Sequence, residues 1–244
     1  MNLLIVKPEE LISASEARIV GPRAKYIYDF HNLRVGLTIK AGVLGGKIGR
    51  VTVLQLSMQE VRLTLELTDP SIALSPVNLL LAIPRPQILK KVLSVACELG
   101  ISKVNLFVGN QSQKSYLSSH VLEPQELEYF LIKGLEQSGT THLPKVSISD
   151  CLSSALELGS SASYVKLVAH GSKQKPAPTV EQLTACQLNS DQEFLVAIGP
   201  EGGWAVKELD QLKDQGFAQV SLGERMLRVD TAIAVLVGQL QSKI

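Results

Sequence analysis

Two glycine-containing segments in the C-terminal part of the 244-residue sequence carry the residues best suited to chemistry. The first, residues 199–204, contains Glu201, and the second, residues 221–232, contains two arginines and Asp230. Each segment follows a short apolar run and precedes a helical pattern, so both are expected to be strand-to-helix loops. Ligands of open α/β sheets bind outside the carboxyl ends of the strands. The two loops therefore predict a shared ligand site.

Glycine in these loops indicates what kind of ligand can bind there. Without a Cβ, a ligand can approach the backbone closely, and the exposed backbone groups can recognise an adenine edge or an amino-acid carboxylate. This chemistry suits a cofactor without phosphates better than a nucleotide polyphosphate. The sequence also lacks a P-loop, a dinucleotide-binding Gly-x-Gly-x-x-Gly after the first α/β strand, and a Gly-x-Ser-x-Gly elbow. The alternative interpretation is two tight turns that only close an α/β core.

The composition limits the class of protein. A hydrophobic content of 45% and a formal net charge of +1 predict a large core and no overall polyelectrolyte character. Cys97, Cys151 and Cys186 are widely spaced, which favours buried thiols in a reducing compartment over disulfides or a zinc site. The four histidines are dispersed, so no metal is expected. We find no signal peptide and no apolar run of transmembrane length, and therefore expect a cytoplasmic protein without a membrane partner.

From residue 73 onward the patterns alternate between strand and helix, which predicts an α/β domain with a largely parallel sheet. Strands are expected at 77–83, 103–108, 164–169, 194–198 and 218–222. Helices are expected at 86–99 and 123–138, from about Trp204 with Val206, Leu209 and Leu212 on the buried face, and from Thr231. The polar, serine-rich residues 110–120 predict a surface loop.

Residues 1–72 predict a small, mostly β, barrel-like domain. Apolar residues alternate at 33–39 and recur around 51–56 and 61–67, and Gly45-Gly46 is a hairpin signal. A short helix is expected over residues 18–32, with Ala24, Ile27 and Tyr28 as its buried face.

The charge of this N-terminal region is uneven, because residues 18–50 contain seven basic residues and only one acid, Asp29. One interpretation is a solvated face of mixed strands. The other is a surface that binds nucleic-acid phosphates, which positions the nucleic acid without reading its sequence. The candidate contacts are Arg18, Arg23, Lys25, Arg34 and Arg50.

Together, the segments Ile-Gly-Pro-Glu-Gly-Gly at 198–203 and Ser-Leu-Gly-Glu-Arg-Met-Leu-Arg-Val-Asp-Thr-Ala at 221–232 resemble the signature of the RsmE family. These are S-adenosylmethionine-dependent methyltransferases of the SPOUT (trefoil-knot) superfamily that methylate N3 of a uridine in 16S ribosomal RNA. The resemblance covers nearly the whole chain, with matching residues at 21–24, 98–100 and 136–138. The sequence departs from the family at Asp230, where glutamate is usual, near Glu224, and at 26–32.

The resemblance implies a SPOUT-like, trefoil-knotted α/β methyltransferase domain at residues 73–244, preceded by a PUA-like β-barrel RNA-binding domain at 1–72. It also implies a homodimer with cofactor sites near the interface, no metal, and the decoding region of the small ribosomal subunit as the site of action. The implied S-adenosylmethionine-binding residues are Val168, His170, Gly199, Pro200, Glu201, Gly202, Gly203, Ser221, Leu222, Gly223, Arg225, Met226 and Leu227.

Candidate catalytic roles follow from the chemistry of uridine N3. This nitrogen is protonated at neutral pH, so a site must remove the proton or stabilise the resulting anion. Arg228 or Arg225 can stabilise negative charge on a pyrimidine oxygen, and Glu201 or Asp230 can accept the proton. Three of these residues have a structural alternative: Glu201 can cap the next helix, Asp230 can be an N-cap, and Arg225 can pair with an acid across a dimer.

Two other functions remain open at the level of the sequence. One is a related knotted methyltransferase with a different RNA target. The other is a non-catalytic RNA-binding or ribosome-assembly factor that retains the fold. The glycines of both loops favour a functional methyltransferase over the second alternative, because a degenerate site has no need to keep them.

Overall fold

The computed structural model describes residues 2–159, 163–171, 177–183 and 192–243. Contacts divide the chain into two compact units, Met1–Ala73 with Ile132–Leu143, and Leu74–Leu131 with Pro144–Ile244. The sequence patterns did not indicate that residues 132–143 would join the first unit. Among the described residues, no helix combines the length and the apolar character needed to span a membrane.

The elements of the first unit are β1 (Leu4–Val6), β2 (Leu11–Ser13), β3 (Glu16–Val20), α1 (Pro22–Phe30), β4 (Thr38–Val43), β5 (Ile48–Leu56) and β6 (Glu60–Asp69). The strands form a six-stranded sheet with the order β1-β4-β5-β6-β3-β2. Only the β1–β4 pair is parallel. Among the described strands, β1 and β2 form the two edges of the sheet and do not pair with each other.

Alternation along β5 and β6 places one apolar face of the sheet in a core and the other in solvent. Val51 and Val53 of β5 and Leu63 of β6 are among the buried residues of this core. The predicted hairpin at Gly45-Gly46 joins β4 to β5, and Gly45 has the positive φ of 72° that such a turn requires. The segment 132–143 joins this unit because the Glu136 carbonyl accepts hydrogen bonds from the backbone of Asn2 (3.0 Å) and Leu3 (3.1 Å).

Three details of the predicted N-terminal elements are wrong. The helix does not begin near Arg18, which lies in β3; it begins at Pro22, where proline fits the first helical position. Tyr28 is 43% exposed, although Ala24 and Ile27 are buried as predicted. Residues 33–37 form no strand, because positive φ angles at Asn32 (48°) and Gly36 (82°) turn the chain before β4 begins.

The elements of the second unit are β7 (Ser75–Ala82), α2 (Pro86–Glu98), β8 (Ile101–Phe107), α3 (Pro124–Ser138), β9 (Lys145–Ser149), α4 (Leu152–Gly159), β10 (Val165–Ala169), α5 (Val180–Leu183), β11 (Phe194–Ile198), α6 (Val206–Asp214), β12 (Ala218–Val220) and α7 (Val229–Gln241). The strands form a six-stranded sheet with the order β12-β10-β11-β7-β8-β9, and all five strand pairs are parallel. This confirms the predicted α/β class with a parallel sheet. From Ile132 onward, α3 belongs to the first unit.

Both faces of the central strands are covered, as expected for a parallel sheet. Residues 77–82 of β7 are all buried, and every residue of β11 is buried. Leu156 of α4 and Leu212 of α6 belong to one apolar cluster with Leu80 of β7. Helix α2 contacts α7, and the side-chain amide of Gln241 donates to the carbonyl of Leu99 (2.6 Å).

The predicted buried face of the helix after Trp204 is partly wrong. Helix α6 begins at Val206, and the Val206 side chain is 74% exposed because it occupies the first helical position, before the chain packs on the sheet. Leu212 is buried and Leu209 packs against the cluster, as predicted.

Candidate functional site

A cleft of about 1040 Å³ opens at the carboxyl ends of β7, β10 and β11, where ligands bind in open α/β sheets. It lies within the second unit. The lining residues come from the ends of these strands, the loop after β8 and the start of α7. They are Arg85, Pro86, Gln87, Ile88, Tyr116, Ala169, His170, Gly171, Ile198, Gly199, Pro200, Glu201, Gly202, Gly203, Trp204, Met226, Leu227, Arg228, Val229 and Ala232.

The loop after β11 is tightly held, and its first glycine is required by a close approach. A Cβ on Gly199 would lie 3.1 Å from the Trp204 ring, so any other residue would displace the indole. The Trp204 indole N–H donates to the Ala169 carbonyl (3.1 Å), and the ring stacks against Phe107 with centroids 6.1 Å apart. The indole therefore fixes the loop against the end of β10.

Glu201 connects two walls of the cleft. Its carboxylate Oε1 accepts a hydrogen bond from the backbone N–H of Arg85 (3.0 Å), the residue that precedes α2. The alternative in which Glu201 caps α6 is wrong, because Glu208 occupies that position. The Glu208 Oε2 accepts from the backbone N–H of Ala205 (2.9 Å) at the start of α6.

The loop before α7 turns at Gly223, which has a φ of 106° and donates its N–H to the Ser221 hydroxyl (3.3 Å). Arg228 directly precedes α7 and lines the cleft. Asp230 lies in the first turn of α7, so the alternative in which it is the N-cap is wrong. One Asp230 carboxylate oxygen is buried and has no hydrogen-bond partner.

The cleft collects many of the site residues predicted from the sequence, although not all of them. Arg228 and Glu201 line it, together with predicted cofactor residues His170, Gly199, Pro200, Gly202, Gly203, Met226 and Leu227. Outside the lining lie Asp230 and the predicted cofactor residues Val168, Ser221, Leu222, Gly223 and Arg225. Val168 packs in the apolar core, since neighbouring strand residues point to opposite faces.

Sequence reasoning missed one wall of the cleft. This wall is formed by residues 85–88 and Tyr116. Trp204, which also lines the cleft, was not predicted as a site residue either. The stretch 110–120, predicted only as a surface loop, follows the carboxyl end of β8, and that position is the signal that could have placed it at the site. Among the described residues, no group of three or more histidine, cysteine, aspartate or glutamate side chains is placed to hold a metal ion.

The basic residues predicted to contact RNA differ in their surroundings in the first unit. Lys25, Arg34 and Arg50 are exposed. Arg18 pairs with Glu60 (2.8 Å), and Arg62 pairs with the same carboxylate (2.6 Å). Hydrogen bonds from Arg18 and then Arg62 hold the pKa of Glu60 below its usual value. Arg23 is half-buried and binds the Glu10 carboxylate and the Ile5 carbonyl, so its guanidinium already has a structural role.

This fold and cleft are those of an RNA methyltransferase. A family model described as an RNA methyltransferase domain matches residues 72–241. The ribosomal RNA small subunit methyltransferase E of Treponema pallidum is 30% identical over 239 residues, covering 95% of this chain and 87% of the relative. A protein of that name, numbered 1, from Borreliella burgdorferi is 24% identical over 233 residues, covering 95% and 94%. The chain belongs to the ribosomal RNA small subunit methyltransferase E (RsmE) family.

Solved structures show the same fold over the whole chain. The ribosomal RNA small subunit methyltransferase E of Neisseria gonorrhoeae, bound to S-adenosyl methionine, has a TM-score of 0.75 at 20% identity, covering 99% of this chain and 97% of that one. A putative methyltransferase from Legionella pneumophila, in complex with the same cofactor, has a TM-score of 0.80 at 18% identity with the same coverage.

Proposed function

We propose that this protein transfers the methyl group of S-adenosylmethionine to N3 of one uridine in 16S ribosomal RNA of the small subunit. The observation that carries the proposal is the cleft in which two glycine loops, Glu201 and Arg228 meet. The family supports an RNA substrate, and the names of the relatives support the RNA of the small ribosomal subunit. The N3 position follows from the family that the sequence resembles.

The residues of the cleft fit the proposed cofactor. When bound, S-adenosylmethionine supplies a methyl group on a positively charged sulfur and leaves as S-adenosylhomocysteine. The backbone of Gly199, Gly202 and Gly203 offers polar groups without intervening side chains, and a Cβ on Gly202 would lie 3.0 Å from the Gln111 Cβ. Leu227 and Ile198 add apolar surface, and Glu201 is the acid among the lining residues. A cleft of this composition suits a small ligand that is partly apolar and carries polar groups.

Glu201 and Arg228 have complementary roles in this proposal. Uridine N3 gives up its proton to the Glu201 carboxylate, and the nitrogen lone pair then forms the new bond to the methyl carbon while the carbon–sulfur bond breaks. Arg228 stabilises the negative charge that develops on a pyrimidine oxygen. The sequence also offers Asp230 as a candidate base and Arg225 as a candidate for charge stabilisation, but both lie outside the lining of the cleft. The Arg85 N–H bond holds Glu201 in place and leaves its second oxygen for the proton.

The proposal extends to the architecture. The second unit corresponds to a trefoil-knotted SPOUT domain, supported by the hydrogen bond from Ser221 N–H to the Pro178 carbonyl (2.9 Å), which joins two distant loops. The first unit corresponds to a PUA-like RNA-binding domain, supported by its basic residues. A homodimer with cofactor sites near its interface is supported by Met226, which is 93% exposed at the cleft. The proposed ribosomal substrate supports a cytoplasmic location.

The decisive experiment is methyl transfer from labelled S-adenosylmethionine to small ribosomal subunits that lack the modification, followed by nucleoside analysis. Label in 3-methyluridine is the expected result. Label in a different nucleoside would support methyltransferase activity but contradict the assignment to uridine N3. Cofactor binding without methyl transfer to any ribosomal RNA would contradict the proposed substrate. Sedimentation of the purified protein tests the homodimer separately.

A further inference from the structure

The wall of the cleft formed by residues 85–88 and Tyr116 is not explained by the two glycine loops. It comes from the start of α2 and the loop after β8, both in the second unit. It contributes a half-buried phenol ring and an exposed guanidinium, from Tyr116 and Arg85. Aromatic rings and arginines are the side chains that proteins use to hold unpaired bases and their phosphates.

The loop that carries Tyr116 is anchored at its start. The Asn110 backbone N–H donates to the buried Glu208 carboxylate Oε1 (2.9 Å), whose other oxygen is bound at the start of α6. The Ser112 hydroxyl donates to the Ile83 carbonyl at the end of β7 (2.9 Å). One anchor connects the loop to helix α6 and the other to the carboxyl end of β7, so the start of the loop that carries Tyr116 is held in place.

Consecutive tight turns then hold the rest of this loop. Residues Lys114–Tyr116 form a 3-10 turn, and the Ser119 N–H donates to the Tyr116 carbonyl (3.1 Å). Gln111 packs so closely against Gly202 that a Cβ on the glycine would be 3.0 Å from the Gln111 Cβ. The loop thus rests directly on the glycine loop, and Tyr116 lines the cleft beside it.

The charge of the cleft also favours an anionic partner. Arg85 and Arg228 both line the cleft and are exposed, and within the described part of the chain no carboxylate forms an ion pair with either guanidinium. Glu201 is held by the backbone of Arg85 and not by its side chain. Two free guanidinium groups at one opening attract the phosphates of a nucleic acid.

We propose that Tyr116 and Arg85 form the binding subsite for the extruded target nucleotide, in which the Tyr116 ring stacks on the pyrimidine and Arg85 binds an adjacent phosphate. This inference rests on the proposed function. An enzyme that modifies a base must take that base out of the stack and hold it in its pocket. The glycine loops bind the cofactor, and the Tyr116 wall beside them receives the base.

The test compares wild type with Tyr116→Ala, Tyr116→Phe, Arg85→Gln and the control Leu117→Ala. Leu117 is the next residue of the same loop, 41% exposed and outside the cleft lining, so it reports any general damage to the loop. For each protein, kcat/KM for methyl transfer to small subunits and the Kd for S-adenosylmethionine are measured.

We expect Tyr116→Ala to lower kcat/KM between about 5-fold and 100-fold, the loss of one stacked base. The cofactor Kd should stay within about twofold. Tyr116→Phe should retain most activity, because stacking needs the ring and not the hydroxyl. Arg85→Gln should raise KM and flatten its salt dependence. A cofactor Kd weakened in parallel with activity would overturn the proposal and assign Tyr116 to the cofactor, and an unchanged kcat/KM would also overturn it.

If wild type methylates no ribosomal RNA, the proposed function fails, but the subsite can still be tested. Uridine monophosphate is then titrated into protein saturated with S-adenosylhomocysteine and followed by nuclear magnetic resonance. Binding that is present in wild type and Leu117→Ala but lost in Tyr116→Ala would support the subsite. Equal binding by all of these proteins, or none by wild type, would overturn it.

Discussion

Arg228 and Arg225 are close in sequence, yet only Arg228 lines the cleft. We expect Arg228→Ala to lower kcat by about 100-fold or more, the usual effect of removing one group that stabilises developing charge. The cofactor Kd should change no more than a few-fold, because the glycine loops bind through their backbone. Calorimetry measures the cofactor Kd, and steady-state methyl transfer measures kcat. Lys207→Ala, an exposed cation of α6 outside the cleft, is the matched control, and unaltered turnover in Arg228→Ala would exclude the role.

The two described cysteines are expected to react very differently with thiol reagents. Burial raises the pKa of the Cys97 thiol to about 12, so it should be alkylated only when the protein unfolds. Hydrogen bonding by Ser154 (3.4 Å) lowers the pKa of the exposed Cys151 thiol below its ordinary value of 9.0. Iodoacetamide should modify Cys151 first, and at a lower pH than the pH at which an unperturbed cysteine thiol reacts. Peptide mass analysis identifies the labelled cysteine. This corrects the expectation that every cysteine is buried, and Cys186 lies outside the described residues. Labelling of Cys97 in the native protein at a comparable rate would contradict the prediction.

At the scale of elements, helix α6 positions the Tyr116 loop through one buried side chain. Glu208 is 4% exposed, and its two oxygens accept backbone N–H groups from Asn110 and Ala205. Glu208→Gln keeps the shape but turns an amide NH₂ toward one of these donors. We expect it to lower the free energy of unfolding by about 1–3 kcal/mol, the cost of an unsatisfied buried polar group. Urea denaturation measures this loss, and faster proteolysis within residues 110–116 should accompany it.

Asp210→Asn is the control for this prediction, because Asp210 is exposed on the same helix and substitutions of that kind usually change stability little. If the two variants were equally stable, Glu208 would not anchor the loop.

The sequence predicted those elements that depend on local signals. The apolar run of β11 and the proline and glycine that bound α2 gave their positions almost to the residue. Residues whose role depends on distant contacts could not be predicted in this way. Tyr116 lies in a polar stretch, and the loop that brings it to the cleft is held by distant residues, among them Glu208, 92 positions away in sequence. From the sequence, Glu201 is likewise a candidate cap of the next helix, whereas in the fold its carboxylate accepts a hydrogen bond from the backbone of the distant Arg85.

The charge distribution matters at the scale of the whole molecule. The net charge of the chain is +1, but residues 18–50 alone contain seven basic residues and one acid. The remainder of the chain is therefore net acidic. Lys40 and Arg50 are opposite each other on β4 and β5, and both are exposed. Paired cations on one strand face are suited to the phosphate backbone of RNA, whose binding is driven by the release of counterions.

We therefore expect the affinity for 16S ribosomal RNA to fall steeply with salt, with a log–log slope that reports the number of phosphates neutralised. Arg50→Gln should reduce that slope by about 0.7 to 0.9, the value for one lost phosphate contact. Arg62→Gln is the matched control on the neighbouring strand, because its guanidinium is already paired with Glu60 at 2.6 Å and should alter the slope much less. Filter binding at several potassium concentrations measures the slopes, and cofactor affinity should be unchanged in both variants. Equal slopes for wild type and Arg50→Gln would instead make this basic stretch a solvated face without contact to the RNA.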